Sequence, residues 1–384
     1  MRFIHTADWH LGKTFYNNSL IEDQAYVLQQ VVQLARETKP DVVLIAGDIY
    51  DRAIPPIEAV ELLDDVLYSL VQDIEVAVIL IAGNHDSPQR LQFGARLLES
   101  IRLHVFGKPN DQAKFLQFYD NSGVVCFYAM PYAEPAVLRQ YWKNPQITNH
   151  EEAYRAYVNM VQGNMPKGAR TVFVGHCFVT GGNTSESERP LSVGGSDQVS
   201  SECFTSFNYA ALGHLHRPQT VVTDAIQYSG SLLKYSFSEA EHHKSVNLVE
   251  MNGLGHCAVE HIPLTPKRDV KCIEGYLDAL LGATPDSQAA TDFVRVQLLD
   301  QGALLDAMGR LRQVYPNVVE LTRPRWMPDP TAPTPKPESG GRDVLALFSE
   351  FFRQVTGDDL AIEECAVFSE VVERLAREDR EVRE

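Results

Sequence analysis

The stretch Asp41-Val42-Val43-Leu44-Ile45-Ala46-Gly47-Asp48-Ile49-Tyr50-Asp51 decides the fold. Its apolar part is short and β-branched, and it is bounded by Asp41 and Gly47, as a buried strand should be. The strand runs straight into a glycine and two carboxylates. The same arrangement recurs on both sides of it: residues 2–6 lead to Asp8-Trp9-His10, and 76–82 lead to Gly83-Asn84-His85-Asp86. Residues 171–174 lead to Gly175-His176, and Gly213-His214-Leu215-His216 closes the series. A further strand-like run occupies 123–129. Between the first two strands, residues 21–39 place Val27, Val31, Leu34 and Ala35 at helical spacing, and Pro40 follows directly. Residues 57–70 repeat the pattern with Val60, Leu63, Leu67 and Leu70. Strands alternating with helices mean parallel βαβ units packed in layers. From about 217 to 262 short strands take over (219–222, 226–228, 245–251, 256–262), which predicts an α/β fold in which a mixed sheet completes an αββα sandwich.

In such a sandwich the carboxyl ends of the strands converge on one edge, where ligand sites form. Five strand ends therefore bring Asp8, His10, Asp48, Asn84, His176, His214 and His216 together. Oxygen and imidazole donors without thiolates suit manganese, iron, zinc or magnesium. Seven donors exceed the needs of one ion, so the economical expectation is a binuclear site. One carboxylate must then bridge, and Asp48 is the only candidate alone at its strand end. The glycines that precede four of the motifs are expected to let the backbone turn sharply and aim the next side chain. One Asp-x-His or Gly-His pair would mean little. The ordered set of five, each after a strand-like run, is what carries the inference.

The rest of the chain limits the alternatives. With 384 residues it has room for two or three domains, and no apolar stretch is long enough to span a membrane. Its 6 cysteines form no Cys-x-x-Cys pair, which points to a reduced, cytoplasmic protein. The formal net charge of −17 argues against a surface that wraps a polyanion unaided. The pairs Gly181-Gly182 and Gly194-Gly195 lack a following Lys-Ser or Lys-Thr, so no Walker-type ATP site is expected. The polar stretch 180–201 reads as a surface loop, and Lys13, Arg52 and Arg90 as loop charges beside the motifs. Beyond a domain at 1–262, a smaller α+β unit is expected at 267–322, then a proline-rich linker at 323–342 and a helical tail at 343–384. In the tail Val344, Leu347, Phe348, Phe351 and Val355 form one apolar stripe, and 367–375 carry a second.

Taken in order, the five motifs resemble those of the calcineurin-like metallophosphoesterases. The opening His5-Thr6-Ala7-Asp8-Trp9-His10-Leu11-Gly12 looks like the SbcD branch of the Mre-type DNA repair nucleases, and Tyr228-Ser229-Gly230-Ser231 agrees with it. The resemblance implies one metal ion on Asp8, His10, Asp48 and His216, and a second on Asp48, Asn84, His176 and His214, with manganese as the activating ion. His85 would be no ligand but would face the substrate and help the leaving oxygen depart. Asp51 stands where archaeal and eukaryotic relatives have a second histidine, so it is expected only to support the site or anchor its loop, as are Asp86 and His5. The implied activity is metal-dependent cleavage of DNA, as double-strand exonuclease and single-strand or hairpin endonuclease, in repair, recombination and replication. The implied partners are an SbcC-type coiled-coil ATPase, docked on the tail, and a second copy of the chain within a heterotetramer. A small-molecule phosphatase or cyclic phosphodiesterase of the same superfamily is the alternative, because the motifs position a phosphoester without saying what hangs from it.

Overall fold

The computed structural model describes residues 1–109, 115–191, 197–283, 291–301, 304–323, 344–356 and 358–381, without the side chains at 354, 355, 373 and 375–381. The expected linker at 323–342, apart from its first residue, Gly194-Gly195 and the side chain of Val355 therefore lie outside the described residues. The chain divides into two compact units, Met1–Lys271 and Cys272–Glu384.

The first unit holds two six-stranded mixed sheets. In chain order its main elements are β1 (Arg2–Thr6), α1 (Ile21–Thr38), β2 (Val42–Ala46), α2 (Ile57–Tyr68), β3 (Ala77–Ile81), β4 (Leu103–Phe106), β5 (Phe115–Asp120), β6 (Gly123–Met130), α3 (His150–Asn164), β7 (Arg170–His176), β8 (Tyr209–Gly213), β9 (Gln219–Val221), β10 (Thr223–Tyr228), β11 (Ser245–Met251) and β12 (Cys257–Pro263). The first sheet runs β12-β11-β1-β2-β3-β4, and β1 to β4 are parallel. The second runs β9-β10-β8-β7-β6-β5, with β6, β7, β8 and β10 parallel. The two sheets share one core. Phe3, Val42, Leu44, Ala77 and Ile79 of the first pack on Phe127, Val172, Val174, Tyr209 and Ala211 of the second. Phe3 meets Tyr209 edge-on at 5.3 Å and Phe127 at 6.0 Å, contacts that add about 0.5–1.5 kcal/mol each beyond burial. The outer face of the second sheet buries Tyr128, Phe173 and Leu212 against Tyr154, Tyr157 and Val161 of α3.

Helix α3 has a clear start in its sequence: Asn149 accepts the Glu152 N–H at 2.9 Å, and Glu152 in turn accepts from Thr148. Strands β4 and β5 lie at sheet edges. Residues 264–268 remain tied to the first unit, past the expected boundary at 262. The Leu264 N–H bonds to the Lys244 carbonyl (2.8 Å), and Arg268 pairs with Asp23. In the second unit β13 (Val270–Gly275), α4 (Leu277–Leu281), β14 (Phe293–Leu298), α5 (Ala307–Arg312) and β15 (Val318–Thr322) surround a core of Leu277, Val294, Val296, Leu311 and Val318. The tail forms α6 (Val344–Thr356) and α7 (Ile362–Glu381). Among the described residues no helix is long and apolar enough to cross a membrane.

Candidate metal centre

Beyond the carboxyl ends of β1 and β2 the two chain segments stay paired. Asp8 N–H donates to the Gly47 carbonyl (3.0 Å), His10 N–H to that of Asp48 (2.9 Å) and Leu11 N–H to that of Ile49 (2.9 Å). The pairing bends the backbone: Asp8, His10, Asp48 and His214 have φ of 53°, 47°, 49° and 104°. Asp and His enter this region more readily than most residues, yet at a cost of about 1–3 kcal/mol each. So strained a cluster persists only where its surroundings fix it. The glycines act differently from expectation. Of the four before the motifs only Gly47 has positive φ, 92°. At Gly83 and Gly213 the need is close approach, since a Cβ would lie 2.2 Å from the Asp48 nitrogen and 1.9 Å from the Ala46 carbonyl oxygen. At Gly175 it would strike the Phe173 ring at 2.4 Å.

This backbone brings the expected donors together. Ligand atoms of Asp8, His10 and His216 lie within 4.8 Å of one another, as do those of Asp8, Asp48 and His176, and those of His10, Asp51 and His85. His10 Nε2 faces His216 Nε2 at 3.0 Å. His176 Nδ1 bonds to the Ala46 carbonyl at 2.9 Å, so its Nε2 points at Asn84 Oδ1 (2.9 Å) and Asp48 Oδ2 (3.5 Å). The His214 ring stands 5.4 Å from that of His176, and the His214 backbone N–H donates to Asp8 Oδ1 at 2.9 Å. Every one of these side chains except Asn84, Asp51 and His85 is buried.

So much buried charge strains the electrostatics. Burial pushes Asp8 up to about 7 against the pull of His176 and His216. Burial works against the charged form of Asp48 too, but His176, His10 and His85 hold it well below the usual carboxylate range. Burial opposes a proton on His176 as well, yet Asp48 and Asp8 raise it to about 9. His10 and His214 are kept far below the ordinary imidazole range by burial. The ring of His176 thus turns Nε2 toward oxygens of two other motifs, Asn84 Oδ1 and Asp48 Oδ2. Buried carboxylates and imidazoles gathered within ligand distance, with no thiolate among them, fit a divalent metal.

The supporting residues divide by what they touch. Asp86 accepts the N–H groups of Ile49 (3.0 Å), Tyr50 (2.9 Å) and Gly83 (2.8 Å), clamping the second motif to the third. His85 donates its N–H to Asp48 Oδ1 (2.9 Å), and its Nδ1 meets the Asp51 carbonyl at 2.7 Å. The Asp51 carboxylate pairs with Lys13 at 2.7 Å, so Lys13 is no free loop charge. His5 spans the sandwich instead of reaching the ligand atoms. Its ring bonds Tyr209 OH (3.0 Å) and the Leu212 carbonyl (3.1 Å), and burial lowers it to about 3.

Four residues outside the motifs also matter. Glu188 accepts the His216 N–H (2.7 Å), and the Ser187 hydroxyl meets His216 Nδ1 (2.6 Å). Gln24 donates to the carbonyls of His10 (2.7 Å) and Trp9 (3.1 Å), and Tyr235 OH donates to that of Trp9 (2.5 Å). The stretch at 180–201 is therefore more than a surface loop, since its 187–188 turn grips one candidate ligand. No periodicity or glycine marks that turn in the sequence. Gln24 does break the apolar face of α1, and that is the one available signal.

Residues 1–218 match the family described as calcineurin-like phosphoesterase. Residues 266–356 match the type 5 capsule protein repressor C-terminal domain. The chain is 32% identical over 378 residues to the SbcD subunit of the nuclease SbcCD from Staphylococcus saprophyticus, spanning 98% of this chain and 99% of that one. Among solved structures it is similar to a dimetal phosphatase from Danio rerio, at 14% identity and a TM-score of 0.41, over 69% of this chain and 98% of that one. It is also similar to the calcineurin-like phosphoesterase YfkN from Bacillus subtilis, at 11% identity and a TM-score of 0.35, over 69% and 90% of the two chains.

Proposed function

This chain belongs to the SbcD nucleases, metal-dependent phosphodiesterases with a calcineurin-like phosphoesterase domain, and on that footing we propose that it cleaves DNA with two divalent ions, manganese by preference, in a cytoplasmic complex with an SbcC-type ATPase. Asp8, His10, Asp48 and His216 hold one ion; Asp48, Asn84, His176 and His214 hold the other. The observation that carries this is the His176 ring, pinned by the Ala46 carbonyl with Nε2 aimed between Asn84 and Asp48.

When bound, such a pair of ions neutralises phosphodiester oxygens and supplies a nucleophile from water near neutral pH. The protein's own part is to position and to move a proton. With Nδ1 bonded to the Asp51 carbonyl, His85 in its imidazolium form carries its other proton on Nε2, free for the leaving alkoxide. The Asp48 carboxylate holds the His85 backbone in place, so ligand and proton donor are set by one side chain. The net charge of −17 gives DNA no welcome. Ions at the site and a basic partner overcome that repulsion.

We assign 1–262 to the nuclease domain, 267–322 to the capping unit, 323–342 to a linker and 343–384 to the ATPase-docking tail. Pairing of two copies is supported by the large apolar side chains that the first unit exposes: Phe93 (88%) and Leu97 (80%) shortly after the third motif, and Ile54 and Ile57 shortly after the second.

The test combines substrate and metal. Purified chain, with and without an SbcC-type ATPase, is incubated in manganese with labelled duplex and hairpin DNA. DNA cleavage is expected to outstrip phosphate release from simple monoesters by a wide margin. Efficient hydrolysis of monoesters or cyclic nucleotides with inert DNA would establish the alternative. Asp48→Ala should lose binuclear occupancy and essentially all hydrolysis while its circular dichroism is unchanged. Two ions still bound in that variant would refute the bridge.

A further inference from the structure

We infer that Ser187 is a positioning residue for the metal centre: its hydroxyl couples His216 to the buried Glu239–Lys244 pair and so fixes which ring nitrogen His216 offers. The inference rests on the reading of His216 as a ligand. A serine hydroxyl has one hydrogen to give. Its two polar neighbours are His216 Nδ1, at 2.6 Å, and a carboxylate oxygen of Glu239. The carboxylate can only accept, so Ser187 donates to Glu239 and accepts from Nδ1–H of His216. That leaves the lone pair on Nε2, the nitrogen that faces His10.

The serine cannot be bypassed. His216 Nδ1 and Glu239 Oε1 are 3.6 Å apart, beyond a hydrogen bond, and the Ser187 oxygen spans the gap. Glu239 is fully buried and anchored at 2.5 Å by Lys244, which also donates to the His216 carbonyl (2.7 Å) and to Ser231 Oγ (2.9 Å). Glu188 takes the His216 N–H. His216 is therefore held at its amide nitrogen, its carbonyl and one ring nitrogen, leaving only Nε2 to the site. An ordinary loop serine would touch solvent or its own turn. This one closes a chain of four side chains that ends on a candidate ligand. Partners of this kind typically govern metal affinity by about 10–100-fold.

Two measurements test it. Long-range nitrogen–proton NMR on histidine-labelled, metal-free chain above neutral pH should find the Nδ1–H tautomer of His216 in the wild type, its loss in Ser187→Ala and its return in Ser187→Thr. Calorimetric titration with manganese should find one of two sites weakened about 10–100-fold in the alanine variant and restored by threonine. An alanine variant with an unchanged tautomer and unchanged affinities overturns the inference. So does one that weakens both sites together and melts early, for the loop would then matter only as structure. A wild type that takes up no manganese refutes the metal-centre reading, and the tautomer then decides the role of Ser187 by itself.

Discussion

His85 differs from the histidines around it in how its groups are occupied. Its backbone N–H serves Asp48 and its Nδ1 serves the Asp51 carbonyl, while the rings of His10, His176 and His216 turn a nitrogen toward another donor. Replacing it should therefore spare the ions. His85→Gln is expected to keep full metal content and to slow DNA cleavage by about 10²–10⁴-fold, the usual span for a lost proton donor. Metal analysis beside single-turnover rates checks this, and loss of either ion would make His85 a ligand. At this scale the sequence is a good guide to which side chains come together, because each is chained to a strand end and a strand end is legible. It says nothing of Ser187 or Glu188. Their contact with His216 depends on how a turn folds back, and no local pattern encodes that. Nor can it say why the glycines are there: close approach between two loops from distant segments explains Gly83 and Gly213, and neither turns by positive φ.

Among the elements, strands buried on both faces read plainly from their β-branched runs, whereas the edge strands β4 and β5, half exposed and mixed in composition, carry too little contrast to be noticed. The last strand of the second unit, Val318–Thr322, pairs in parallel with β14. The tail departs from expectation in an instructive way. Phe348 falls on a single sequence stripe with Val344, Leu347 and Phe351, but it stacks on Phe368 of α7 at 3.9 Å, with the rings 4° from parallel. This stacked pair joins the two helices, while Val344, Leu347 and Phe351 remain exposed. A pair of helices this small cannot bury so much apolar surface by itself, and an apolar helix face laid on a partner is the common remedy. Removal of 343–384 should abolish co-purification with an SbcC-type ATPase and leave manganese uptake intact. A truncated chain that still forms the complex with undiminished affinity would exclude the tail as the docking element.

For the molecule as a whole, self-association is the property most open to test. Phe93 and Leu97 offer large apolar groups to solvent on the same unit as the metal centre. On the proposed pairing, Phe93→Glu should give a particle of half the wild-type mass by light scattering, with metal retained; an unchanged mass would refute pairing through this face. At this scale the sequence offers no apolar stretch long enough for a helical membrane span, but it cannot mark where one unit ends, because the ties of Leu264 and Arg268 back to the first unit are tertiary. Asp8 and Ala46 belong to the first sheet's strand ends, His214 and His176 to the second's, and hydrogen bonds of 2.9 Å join them across the sandwich. Between the inner faces His5 and Asn247 both reach Tyr209, and at the opposite edge the Met1 amino group pairs with Asp120 at 2.8 Å; the rest of the contact is largely hydrocarbon. The catalytic edge is thus one of the rivets that keep the two layers aligned, and turnover becomes a gauge of that alignment. A mutation deep between the sheets, far from any metal ligand, would first blunt the enzyme and only later unfold it.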